Sequence, residues 1–406
     1  MYFSLTLKKS NTKISFVSYA DLKERLERSR LPESLENSDT FEYGFSPSYL
    51  KEVIDYWKNS YDWKKWEKTL NQFPQFTTSL EGLRVHFIHV KPPPGKYKKT
   101  FPLLISHGWP GNVFEFYKIL PMLSDPITYL GHSSDYAFEV IAPSIPGFGW
   151  SSHPAKKGFD QWAVARIFRK LMLRLGHRRF FVQGGDWGAV ITKNIAIYYA
   201  ESVLGLHLNL LQVPPHSNFR AAVLTVLGFL LPPATLFSHP GSFIYGIGGV
   251  KDLFLQETGY FHIQATKPDT VGIGLTDSPA GLAAYILEKF STGTARHNRY
   301  LPDGGLTKKF SLDELLTVVT IYWINGNIVY SQRFYKEYTF RAYVSVPTGL
   351  AAFPNEMLYG AQPKEILQTA VNLTRYTEMR RGGHFAALEE PKLLAKDVFD
   401  FVDEIL

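Results

Sequence analysis

Apolar residues recur along this chain with two different periods, and the change of period divides it. Near the start, "SYADLKERLERSR" sets Leu22 and Leu26 on one helical face behind a capping box of Ser18 and Asp21. "SPSYLKEVIDYWKN" has Ser46 as cap and Pro47 in the first turn; its Leu50, Val53, Ile54 and Trp57 make an apolar stripe. Both read as helices that pack on a larger body. After Leu83 the pattern changes. "LRVHFIHV" predicts a strand, "FPLLISHGWPG" a buried strand ending in a tight turn, and "FEVIAPSIPGFGWS" a strand entering a glycine-rich loop. "WAVARIFRKLMLRLG" predicts an amphipathic helix stopped by Gly176. "RRFFVQGGDWG" is a further strand, with the helix "AVITKNIAIYYA" behind it.

Strands alternating with helices imply an α/β fold with a mostly parallel sheet, whose function sits at the carboxyl ends of its strands. "HGWPG", "PGFGWS" and "GGDWG" all fall at such ends. From about Gln212 to Tyr343 the strand pattern lapses into helical segments, "GLAAYILEKFS" and "SLDELLTVVTIYWINGNIVYSQRFYKE" among them. It resumes with "AYVSVPTGLAAFPNE" and closes with "RGGHFAALEEPKLLAKDVFDFVDEIL". The expected organisation is an N-terminal module over residues 1–95 wrapping the core, a first core part over 96–212, a helical cap over 213–343, and a second core part over 344–406.

The composition of the 406 residues is globular, and no Lys/Arg block concentrates the net charge of +7, so nucleic acid is not an expected partner. The absence of cysteine excludes disulfides, thiolate catalysis and sulfur-based zinc sites. No signal peptide or transmembrane anchor is expected. The most apolar run, "AAVLTVLGFLLPPATLF", falls short of the roughly 20 residues a span needs and is broken by Pro232 and Pro233. It reads as a buried or interfacial segment.

The candidate chemistry begins at Gly184–Gly185–Asp186–Trp187–Gly188, which has the shape of a strand–turn–helix nucleophile elbow with aspartate where serine usually stands. Asp186 as a mere helix cap would not need glycine on both sides. Upstream, "HGWPG" forms a turn, and the backbone amides of Trp109 and Trp187 are the natural oxyanion donors. His107 reads as a structural residue of that turn. His384, in a glycine loop before the last helix, follows the expected chain order of nucleophile, acid and histidine. For the acid, the loop "VSVPTGLAAFPNEMLYG" offers Glu356 and no aspartate.

Aspartate at the elbow points to an sp³ carbon. Serine attacking such a carbon would leave an ether that water could not open, whereas a carboxylate leaves an ester that it can. An epoxide and a haloalkane both fit. Trp187 would suit a departing halide, while tyrosine suits an alkoxide in need of a proton. Tyr260 and Tyr335 lie in the helical insertion, although spacing does not single them out from 23 tyrosines.

Together, "YGFSPSYLKEVIDYW", "FPQFTTSLEGLRVHFIHVKPP", "SHGWPGNVFEFYKILPML", "APSIPGFGWS", "VQGGDWG", "GYFHIQATKPDTVG", "DGGLTKKFSLDELL", "SQRFYKE" and "RGGHFAALEEP" resemble the microsomal-type epoxide hydrolases, which include the juvenile hormone epoxide hydrolases. The resemblance covers nearly the whole chain. It implies an α/β-hydrolase fold with a helical cap, Asp186 as nucleophile, His384 as base, Glu356 as its charge relay, and Tyr260 and Tyr335 as epoxide-activating acids. It also implies hydrolysis of lipophilic epoxides to vicinal diols, with water as co-substrate and no metal or organic cofactor. Animal members generally begin with a membrane-spanning helix. This chain shows none, so it reads as cytoplasmic, with contact to the endoplasmic reticulum membrane as the alternative. The rivals are a haloalkane dehalogenase and a hydrolase-fold protein that binds a ligand without turning it over.

Overall fold

In the computed structural model, which describes residues 8–10, 16–36, 38–238, 246–337, 343–356 and 362–406, nine strands form one sheet. They are β1 (Lys8–Ser10), β2 (Gln75–Leu80), β3 (Leu83–Val90), β4 (Lys99–Ser106), β5 (Tyr136–Pro143), β6 (Phe180–Gly184), β7 (Val203–Leu208), β8 (Val344–Ala352) and β9 (Val371–Glu378), in the order β1-β2-β3-β5-β4-β6-β7-β8-β9. From β5 to β9 all neighbours run parallel, and β1, β2 and β3 extend the sheet antiparallel. The fold is that of an α/β-hydrolase. The central strands are buried on both faces: β6 is buried at every position, as a parallel strand between helical layers must be.

Several strands escape the apolar-period reading. β2 alternates weakly, β7 carries a glycine and a histidine in its buried run, and β9 mixes Asn372, Thr374 and Arg375 into a half-exposed edge. The N-terminal part is accordingly more than a helical module, since it lends strands to the sheet. Its first helix starts at Phe16, so Ser18 lies inside the first turn rather than capping it; Asp21 instead accepts from Arg25 at 2.9 Å. The expected stripe Leu50, Val53, Ile54 and Trp57 is buried in helix Pro47–Asn59, capped by Ser46. These helices hold the cap: Tyr56 donates to Asp313 at 2.8 Å, and Arg25 reaches Asp277 at 2.7 Å.

Between β7 and β8 the described residues form helices and connecting loops, with no strand among them. The segment from Ser311 to Lys336 is two helices, Leu312–Asn325 and Ile328–Lys336, parted at Gly326, whose φ of 57° ends the first. Of the two readings for the apolar segment after Asn218, the interfacial one fits: it is buried only in part. In helix Phe219–Leu230 only Ala221 and Gly228 are fully buried, while Phe219, Val226 and Leu230 are largely exposed. Leu224 and Phe229 are half-buried against the core, so one side of the helix packs on the protein and the other faces outward.

Candidate active site

Adjacent strand ends create the site. Ser106, the last residue of β4, is in register with Gly184, the last of β6, so the turns that follow them meet. Asp186 opens helix Asp186–Tyr198 with φ of 48°, a left-handed conformation that L-residues adopt at a cost. Such a turn needs room on both sides. A Cβ on Gly184 would strike the backbone of Gly188, and one on Gly188 would strike the carbonyl of Ser106. The glycines of the elbow are thus required by the close approach of β4, β6 and the helix.

The carboxylate of Asp186 is held from two sides. The amide of Trp109 donates to Oδ1 at 2.7 Å, and Nε2 of His384 lies 3.5 Å from Oδ2. The amide of Trp187, expected as the second donor, belongs to the first helical turn, where amides have no partner within the helix. On the far side of His384, Nδ1 donates to Oε1 of Glu356 at 2.6 Å. Glu356 follows β8 on a short loop and is 5% exposed, so it is no surface carboxylate. Burial works against charge on His384, but Glu356 and Asp186 outweigh it and hold its pKa well above the usual range.

His107 is buried and accepts from the amide of Ile145 at 3.2 Å through Nε2, so its proton sits on Nδ1, which donates to Gly108 O at 3.1 Å. Burial pushes its pKa down to about 4. It ties the turn after β4 to the loop after β5 and carries no charge, matching the structural part expected for it.

The cap closes the site from above. Tyr322 donates to Gly111 O at 2.8 Å. Tyr260 stacks on Trp109 with ring centroids 5.4 Å apart, and Tyr335 meets the same indole edge-on at 5.8 Å. The two phenol rings are 6.2 Å apart. Tyr335 is buried, and its hydroxyl has no acceptor among the described residues. Burial, then the charge of Asp186, raises both phenols well above their ordinary pKa, so both keep their protons. A cavity of about 360 Å³ runs from Asp186 past both tyrosines, lined by Val190, Leu210, Leu211, Phe254 and Phe261 among others. That size suits a small organic ligand.

Sequence reading missed one group. Glu115, in "GNVFEF", is buried with its carboxyl folded over Gly111, and with Gln183 and Asn209 it walls a second, polar cavity that reaches Asp186 and His384. The signal was a lone carboxylate between Phe114 and Phe116, in a segment otherwise buried.

A parallel sheet with this elbow and a helical cap over its strand ends defines an α/β-hydrolase. The family model "alpha/beta hydrolase fold" matches residues 102–230, and "Epoxide hydrolase N terminus" matches residues 7–116. The chain is 49% identical over 401 residues to epoxide hydrolase 1 of Oryctolagus cuniculus, covering 94% of this chain and 85% of the relative. It belongs to the epoxide hydrolase family. It is also 43% identical to juvenile hormone epoxide hydrolase 2 of Ctenocephalides felis, over 90% of this chain and 79% of the relative. The crystal structure of juvenile hormone epoxide hydrolase from Bombyx mori superposes with a TM-score of 0.91 at 38% identity, covering 98% of this chain and 95% of that one. For the Aspergillus niger epoxide hydrolase the TM-score is 0.82 at 27% identity, with 99% and 97% covered. Among the described residues no helix is long and apolar enough to cross a membrane.

Proposed function

We propose that this protein hydrolyses lipophilic epoxides to vicinal diols through an alkyl ester on Asp186. One observation carries the reading: a carboxylate at the elbow faces two protonated phenols across an apolar cavity, with a His–Glu pair behind it. Oδ2 of Asp186 attacks an epoxide carbon and the C–O bond breaks. Tyr260 and Tyr335 give hydrogen bonds, and then a proton, to the departing oxygen. Oδ1 stays at the amide of Trp109, where it becomes the oxyanion of the second step.

Water then attacks Cγ of Asp186, His384 takes its proton, and Glu356 steadies the resulting imidazolium. Collapse breaks the bond from Cγ to the substrate oxygen, which takes the proton from His384 and leaves as the diol. The second hydrogen of the water, left on the Asp186 carboxyl, returns to the phenolate and restores both groups. The apolar lining supports alkene, arene, terpenoid or lipid epoxides over polar ones. Domain roles follow the same reading: residues 96–212 and 344–406 supply Asp186, Glu356 and His384, residues 213–343 supply the tyrosines, and residues 1–95 brace the cap.

Single-turnover hydrolysis of styrene oxide in heavy-oxygen water tests it. The first diol should be unlabelled and the Asp186 carboxylate labelled; label in the first diol would mean that water opens the epoxide directly. A chloroalkane run in parallel should release no halide.

A further inference from the structure

The polar cavity behind the nucleophile has a volume of about 20 Å³, enough for one water molecule, which needs about 10–15 Å³. Glu115, Gln183, Asn209, Asp186 and His384 all line it. It is separate from the apolar cavity where the epoxide would sit and shares only Asp186 with it. Gln183 and Asn209 are already matched, the amide nitrogen of Gln183 donating to Asn209 Oδ1 at 2.9 Å. Glu115 has no ion-pair partner there: among the described residues no lysine or arginine lines the cavity, and the only cation facing it is the imidazole of His384. A carboxyl buried without a lysine or arginine costs stability, so its presence beside the reacting groups calls for a use.

We propose that this cavity holds the hydrolytic water, and that Glu115 is the residue that positions it between His384 and the Asp186 ester. The inference rests on the ester reading above. A water there has two hydrogens to place. One goes to Nε2 of His384, which removes it as the oxygen bonds to Cγ. The other is accepted by the carboxyl of Glu115, which leaves a lone pair turned to the ester carbon. Burial holds that carboxyl up at about 8, with the charge of Asp186 adding to it and that of His384 opposing it. It is therefore un-ionised at neutral pH and accepts a hydrogen bond without competing with His384 for the proton. Tyr322, whose hydroxyl fixes Gly111, keeps the turn under Glu115 in place. Glu115 acts through the water and is a positioning residue.

Two variants and a step-resolved assay test this. Adduct formation and decay are followed separately by rapid quench and intact-protein mass spectrometry, with styrene oxide as substrate. Glu115→Leu, apolar and of similar size, should form the adduct at close to the wild-type rate and hydrolyse it roughly 10 to 100-fold more slowly, the loss of one positioned partner. Glu115→Gln keeps an accepting oxygen and should stay within about threefold of wild type in both steps. Equal slowing of both steps in Glu115→Leu, or slow hydrolysis in Glu115→Gln as well, would assign Glu115 a structural part and overturn the proposal. Normal adduct formation with normal decay in Glu115→Leu overturns the water site alone. No adduct in the wild type would instead remove the ester, and both readings would fall.

Discussion

Nε2 of His384 stands 3.5 Å from Oδ2 of Asp186, close enough for the carboxylate to help hold a proton on the imidazole. A charged His384 cannot serve as a base. In the proposed mechanism, esterification of Asp186 would remove that carboxylate charge and leave only Glu356 to support the imidazolium, so the first step would prepare the base for the second. The imidazole of His384 should therefore titrate well above its ordinary range in the free protein and distinctly lower in Asp186→Asn, which imitates the uncharged ester. NMR titration of the ring would show it. Equal midpoints would mean that Asp186 does not set the charge of His384. The sign for catalysis follows: ester hydrolysis should speed up as pH rises through the lower of the two midpoints.

Removing the base separates the steps. His384→Gln should still alkylate and then stall, with hydrolysis slowed by about 100 to 10,000-fold, the range of general-base contributions. Mass spectrometry should find the protein heavier by one substrate. Glu356→Gln keeps a hydrogen-bond acceptor for Nδ1 but loses the charge, so it should slow the same step less severely. A His384→Gln protein that carries no adduct and forms no diol would place the histidine in the first step as well.

Under the proposed mechanism the tyrosines would decide the substrate class. Each phenol converging on one oxygen shares the developing charge, so Tyr260→Phe or Tyr335→Phe should slow alkylation by roughly 10 to 1,000-fold without abolishing it. The double variant should be folded and inert toward epoxides. Trp109, packed against both rings, gives a fluorescence check that the cap is still seated. Unimpaired epoxide turnover in the double variant would withdraw both residues from the mechanism.

Gly188→Ala adds a single methyl group where the carbonyl of Ser106 leaves no space. The helix after the elbow would have to move away from β4, at about 1–3 kcal/mol or more. Thermal unfolding should show a lower midpoint, and activity should fall further than stability, because the displaced helix carries Asp186 away from the Trp109 amide. A variant as stable as wild type would mean that the elbow is looser than its packing indicates.

Much of this site was legible because its constraints are local. The glycines around Asp186, the turn at Trp109 and the loop of His384 each announce themselves within a few residues, since sterics at a sharp turn act on neighbours. Glu356 could be picked out by its place after a strand and by the lack of an aspartate nearby. Tyr260 and Tyr335 could not be separated from other tyrosines by spacing, because what distinguishes them is where two cap helices set their rings around Trp109. Glu115 was invisible for a related reason. A glutamate is ordinarily a solvated residue, and only the folded turn buries its carboxyl over Gly111. The same holds for the helix after Asn218, whose apolar sequence left burial and an interfacial position open and whose packing leaves one side exposed.

The pairing of β7 with β8 fixes an order on the birth of the molecule. Leu206, His207 and Leu208 find their partners in Thr348, Gly349 and Leu350, and the whole cap lies between them in the chain. A nascent chain leaving the ribosome must therefore wait, with the edge of β7 unpaired, until the cap has emerged. His384 comes later still, so no truncated product ending before it can hold the full set of candidate residues. Chaperone demand should peak over that interval, and mutations that slow cap folding would lower the yield of protein without touching any residue of the chemistry.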